Sequence, residues 1–308
     1  MPEAKTTGVD RAGYKSALDK FDAALCEAIA VSQASSGRFP EVNISYASYV
    51  FTQMCGAGMS MIRAAPLTRW VRSDSDDWRF GAVAGHARSL VDGFLLYNYL
   101  VEPTASEAEM KARVNVMHLN DCTRRIELHT NLGFVDDLEG FEKQREELRG
   151  RLNGNEHFKT LPAPVQKNCL NGKFMMIDSR DEALAKVGFE KGQFDALYDL
   201  WSQHVHILPM SFYRIEANGR GTGLENDTDR SYTAQALEIG AAVLTESTDR
   251  MVEQFPDVAG VRQGAKSTFS PGPRENRPRK TAPAAPTPAP AFAESSLSAA
   301  MKRGFRPD

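Results

Sequence analysis

The chain has 308 residues, 42% of them hydrophobic and 25% charged, with a formal net charge of −3. That is a globular composition, long enough for one large domain or two small ones. The opening MPEAKTTGVD has no apolar core, and the longest apolar stretch, Phe80 to Val101, contains His86, Arg88 and Asp92; a secretory leader and a membrane span are therefore not expected, and a cytosolic protein is.

In chain order, Tyr14, Leu18, Phe21, Leu25 and Ile29 recur at three- and four-residue steps, which predicts a helix from Asp10 to Ser35. A second helix is predicted from Asn43 to Ala65, ended by Pro66; its Gly56 and Gly58 point to a close crossing by another helix. The acidic run Ser73 to Asp77 suits the N-terminus of a third helix, apolar nearly all round and ending before Pro103. That helix is expected at the centre of the fold. Thr104-Ala-Ser-Glu107 fits a capping box for a fourth helix that closes near Gly133. A charged helix from Asp136 to Leu152 follows, then an irregular stretch with one short helix over Val165 to Leu170. Ser179-Arg-Asp-Glu182 is a second capping box. Beyond Gly188, an aromatic helix is predicted from Gln193 to Ile215, bent near Pro209. A glycine-rich loop, flexible by composition, and a last helix from Arg230 to Gln254 complete the set. The reading is all-α: a multi-helix bundle over residues 1–261.

Residues 262–308 are predicted to be a disordered basic tail, rich in proline and alanine. It carries nine basic and three acidic residues, a balance of +6, which leaves −9 on the body. So acidic a body is no obvious nucleic-acid binder. Leu297, Met301 and Phe305 recur at four-residue spacing, so a short docking helix over 294–305 and a protein partner held through the tail are considered. Truncation after Val261 is then expected to leave the melting temperature unchanged.

Cys26, Cys55, Cys122 and Cys169 lie far apart with no C-x-x-C spacing, so buried, reduced thiols are expected rather than disulfides or a zinc site. His118, Cys122 and His129 share part of a helix face. No Glu-x-x-His pair of the di-iron kind accompanies them, so neither metal nor cofactor is expected.

Two constellations carry the candidate chemistry. Arg88 and Asp92 are four residues apart on one helical face, and an arginine in so apolar a segment needs a partner. Tyr198, Ser202 and His206 form a stripe at four-residue intervals on a later helix. Each has a structural reading, an internal polar lock, beside a functional one. The pairing of ARSLVDGFLLYNYL with YDLWSQHVH resembles an uncharacterised bacterial all-helical family with the pattern Arg-Ser-x-x-Glu and Tyr-x-x-x-Ser-x-x-x-His. In general style it is similar to HEPN domains, many of them ribonucleases or parts of toxin and defence systems. Asp92 stands where the family pattern has glutamate. The HEPN arginine, four to six residues before its histidine, has no counterpart here: Leu200, Trp201 and Ser202 precede His206, so Arg88 would have to supply the charge from another helix. The resemblance implies one of two roles: a non-enzymatic scaffold or interaction protein of a bacterial stress or phage-related system, or a metal-independent ribonuclease. In the ribonuclease, His206 is the base, Arg88 binds phosphate, and the site is completed in a homodimer on RNA.

Overall fold

A computed structural model describes residues 8–38, 40–134, 138–213 and 219–270. The segment 271–308, with the docking helix considered over 294–305, lies outside the described residues. Among the described residues the fold is all-α, without strands. Helix α1 (Arg11–Ala34) starts at Asp10, whose side chain accepts the Gly13 N–H, and α2 (Val42–Ala64) ends before Pro66. These two pack with α3 (Gly81–Val101) and α11 (Asp227–Gln254) around the main core.

The centre of that core is α3, as its apolar sequence implies: Val83, Ala84, Ala87, Leu90, Val91 and Phe94 are all buried. Glycines set two of the close crossings. A Cβ on Gly58 of α2 would fall 2.7 Å from a Leu25 methyl, and one on Gly240 of α11 would fall 2.7 Å from the Phe21 ring. Gly56, by contrast, faces open space. All four cysteines are buried and free.

A second, smaller core lies between α4 (Glu107–Leu132), α5 (Leu138–Gly154), α6 (Glu156–Thr160) and α7 (Ala163–Leu170), around Val116, Leu119, Leu148, Leu152 and Phe158. Arg113 joins it to the main body. Its buried guanidinium donates to the Tyr99 carbonyl (3.1 Å) and pairs with Glu102 (3.4 Å) and Glu109 (2.6 Å). The cap of α4 sits two residues later than the sequence suggests: Ser106, not Thr104, accepts from the Glu109 N–H at 3.1 Å.

Three other sequence expectations change. The acidic run at 73–77 does not cap α3. Asp76 instead accepts the Leu67 N–H, and the chain at Trp78 is committed elsewhere: the indole is buried against Tyr14 and the backbone N–H donates to the Gly223 carbonyl at 3.0 Å. The glycine-rich loop is anchored rather than free over 219–226, because Asp229, 1% exposed, accepts the Gly221 N–H and the Asn226 side-chain amide.

The folded chain also continues past Val261. After the 3-10 helix Pro256–Val261, residues 262–270 cross over α1. Arg262 bridges Glu27 and Asp249, Ser267 is buried, Phe269 stacks on Trp70 (5.9 Å between centroids) and the Ser270 N–H donates to Gln33 at 2.8 Å. The folded body thus extends past the expected boundary at 261, at least to Ser270. Charge and proline content alone did not reveal that Arg262 and Phe269 find partners far back in the chain.

Candidate functional site

Arg88, Asp92, Tyr198 and Ser202 meet where α3 faces α8 (Arg180–Lys186) and α9 (Lys191–Val205). The buried side of α3 is apolar; Arg88, Ser89 and Asp92 fall on its outer side, at the edge of the core. From the core outward, Phe94, Phe189, Phe194 and Tyr198 form a chain of ring contacts with centroids 5.5–6.0 Å apart. Tyr198 ends that chain at the surface.

Two guanidiniums approach Tyr198. The Arg88 Cζ lies 4.3 Å from the ring centroid and the Arg180 Cζ 4.1 Å. Both guanidiniums are thus in cation–π contact with the one ring. Arg180 also stands 4.7 Å from the Phe194 ring. Its placement follows from the capping box of α8: Ser179 and Glu182 satisfy each other's backbone N–H groups, and Arg180, the first helical residue, is held beside α9.

The polar groups beneath are closely paired. Arg88 Nη1 donates to Ser202 Oγ (3.1 Å), and Ser202 donates to the Tyr198 carbonyl (2.7 Å). The Tyr198 hydroxyl donates to Asp92 Oδ2 (3.2 Å). The expected Arg88–Asp92 pair is present but long, at 3.9 Å, with the two side chains 29% and 47% exposed. It is a peripheral pair, worth at most a few tenths of a kcal/mol, rather than the buried lock that the apolar sequence suggests. Partial desolvation raises the half-exposed Asp92 carboxyl above its ordinary value, although the Tyr198 hydroxyl and both guanidinium charges oppose that.

His206 does not join the cluster. The single long helix expected through Pro209 ends at Val205, and His206 is its exposed C-cap. Pro209 cannot continue the ladder, and Ile207 takes a left-handed conformation (φ +52°) that turns the chain into the short α10 (Pro209–Phe212). Among the described residues no hydrogen bond or ion pair links the His206 side chain to Arg88, Asp92 or Ser202. His204, two residues earlier, is half-buried. It packs edge-on to Phe80 (4.9 Å), and burial, helped by the Arg220 charge, lowers its pKa.

The other sequence candidates separate. His118 pairs with the Tyr46 hydroxyl (2.8 Å), Cys122 donates to the Phe141 carbonyl, and His129 packs against Phe134 and Phe141. Among the described residues no group of three His, Cys, Asp or Glu could hold a metal ion, and no helix is long and apolar enough to cross a membrane.

Sequence reasoning missed Arg180, whose only signal was its place directly inside a cap. Loss of the Tyr198 ring is expected to matter for stability. Tyr198→Ala should lower stability by about 2 kcal/mol, through lost apolar contact, two cation–π contacts and one hydrogen bond. Thermal unfolding reads this directly, and an unchanged melting temperature would show that the stack does not hold α9 to α3. Comparison of the chain with protein-family models, with curated proteins and with solved structures finds no match.

Proposed function

We propose that this protein is a non-catalytic helical interaction protein, in which Arg88, Arg180, Tyr198 and Ser202 fasten α9 to the body. The observation that carries the reading is the Tyr198 ring, in contact with both the Arg88 and the Arg180 guanidinium. The groups that a nuclease would turn toward phosphate, Arg88 above all, are engaged with a ring and a hydroxyl of the same chain. A general base would have to stand within hydrogen-bond reach of the reacting hydroxyl beside that cation. His206 is the exposed cap at the far end of α9, without a contact to Arg88. The bacterial stress or phage-related setting rests on the sequence resemblance alone.

The competing ribonuclease reading is tested by incubating the full chain with mixed RNA beside His206→Ala and Arg88→Met. The expected result is no cleavage above buffer by any of the three. Cleavage by the unaltered protein that disappears in both variants would overturn the proposal.

A further inference from the structure

We infer that the corner following α9, residues 205–213, is a contact surface for a second copy of this chain. The inference rests on the interaction-protein reading and names its partner. Within nine residues, Val205, Ile207, Leu208, Met210, Phe212 and Tyr213 are all exposed, Ile207 and Tyr213 to 75%. Together they leave roughly 600 Å² of largely apolar surface in water, at the top of the range for a monomer's largest patch.

The corner is preorganised. The Leu208 N–H donates to the Gln203 carbonyl (2.9 Å), the Ser211 N–H to Leu208 (2.8 Å) and the Tyr213 N–H to Pro209 (2.9 Å), while Arg220 holds the Met210 carbonyl (3.2 Å). These bonds hold the turn in one conformation, so a partner meets a shaped surface and less ordering entropy opposes the contact.

Ile207 is the second observation: the left-handed turn that closes α9 is an ordinary helix ending, but the residue in it is an exposed isoleucine. A β-branched residue in the left-handed region is a backbone outlier, and glycine or asparagine adopts that conformation far more readily. Burial within the monomer does not offset the strain, because the side chain is three-quarters exposed. A contact that buries Ile207 gives the strained residue a role.

Charge and area favour a second copy. The stretch VHILPMSFY contains no Asp, Glu, Lys or Arg, so the corner itself brings no like charges together when it meets its own image. A two-fold contact is self-complementary, placing this patch against its own image. Complete burial of the patch in two copies would remove at most about 1,200 Å², the lower edge of the specific-interface class, which points to a weak and reversible dimer.

Sedimentation equilibrium of the full chain from about 1 to 200 μM tests this. The expected result is a monomer–dimer equilibrium that weakens at least tenfold in both Ile207→Asn and Met210→Asp. Ile207→Asn should also melt no lower than the unaltered protein at low concentration, because asparagine relieves the strained backbone; this separates a lost contact from lost folding. An unaltered protein that remains monomeric throughout, or a dimer undiminished in both variants, would overturn the inference. The non-catalytic reading fails by a different readout, the RNA cleavage described above.

Discussion

Truncation after Val261 is expected to lower stability by about 3 kcal/mol, a fall of roughly 6 °C or more in melting temperature, whereas truncation after Ser270 should leave it unchanged. The difference is the nine-residue strap over α1. Removing it strips the Trp70 ring of Phe269 and uncovers Cys26. It also leaves Glu27 without the Arg262 guanidinium (2.9 Å) and the Gly264 N–H (2.8 Å). None of these contacts is large alone. They act together because the strap is anchored at both ends, by Arg262 at Glu27 and Asp249 and by Ser270 at Gln33. Equal melting temperatures for the two truncations would show that the strap contributes nothing.

Asp22→Ala is also expected to cost about 3 kcal/mol. Asp22 is buried on α1 and accepts from Arg69 Nη2 (3.0 Å) and Trp70 Nε1 (2.8 Å), with the Cys26 thiol at 3.5 Å. Alanine leaves the indole N–H without its acceptor and releases Arg69, which is partly exposed and can turn to water, so the ion pair is only part of the loss. Asp22→Asn keeps an acceptor and should cost nearer 1 kcal/mol.

The pH dependence of that residue has a definite sign. Burial alone would raise the Asp22 carboxyl, but the hydrogen bonds from Arg69 and Trp70 and the Arg69 charge outweigh it and hold the carboxyl below its ordinary value. A depressed native value means that the unfolded chain takes up the proton first as pH falls. The stabilisation from the charge is therefore complete above the ordinary carboxylate range and disappears as pH falls through the lower native value. The gap in melting temperature between the unaltered protein and Asp22→Asn should close over that same window. A gap constant with pH would mean that the charge plays no part. The neighbouring Cys26 thiol is pushed up to about 11 by burial first and the Asp22 charge second, so it remains protonated across this window.

Much of the helical order was legible because its signals are local. The apolar spacing of Tyr14 to Ile29, the reciprocal caps Ser179 and Glu182, and Gly133 at the end of α4 act through residues within one or two turns of each other. The interior position of α3 was legible for a related reason: a helix apolar nearly all round can be accommodated only inside. The stripe Tyr198–Ser202–His206 was legible only in part. Tyr198 and Ser202 lie in α9 and reach Arg88 and Asp92, but periodicity could not show that α9 stops one residue before His206.

The sequence by itself determined that this chain is an all-α protein with buried, unbridged cysteines and an arginine-bearing central helix, because hydrophobic period, caps and cysteine spacing are properties of neighbouring residues. Only the tertiary structure decided that Arg180 joins Arg88 at Tyr198, that Asp22 gathers Arg69 and Trp70, and that the fold runs on to Ser270. Each of those contacts joins residues from 18 to more than 200 positions apart. No helical or capping signal spans such separations; they are set by which faces the core brings together, and a lone exposed arginine or a single phenylalanine past the last helix gives no local hint of its partner.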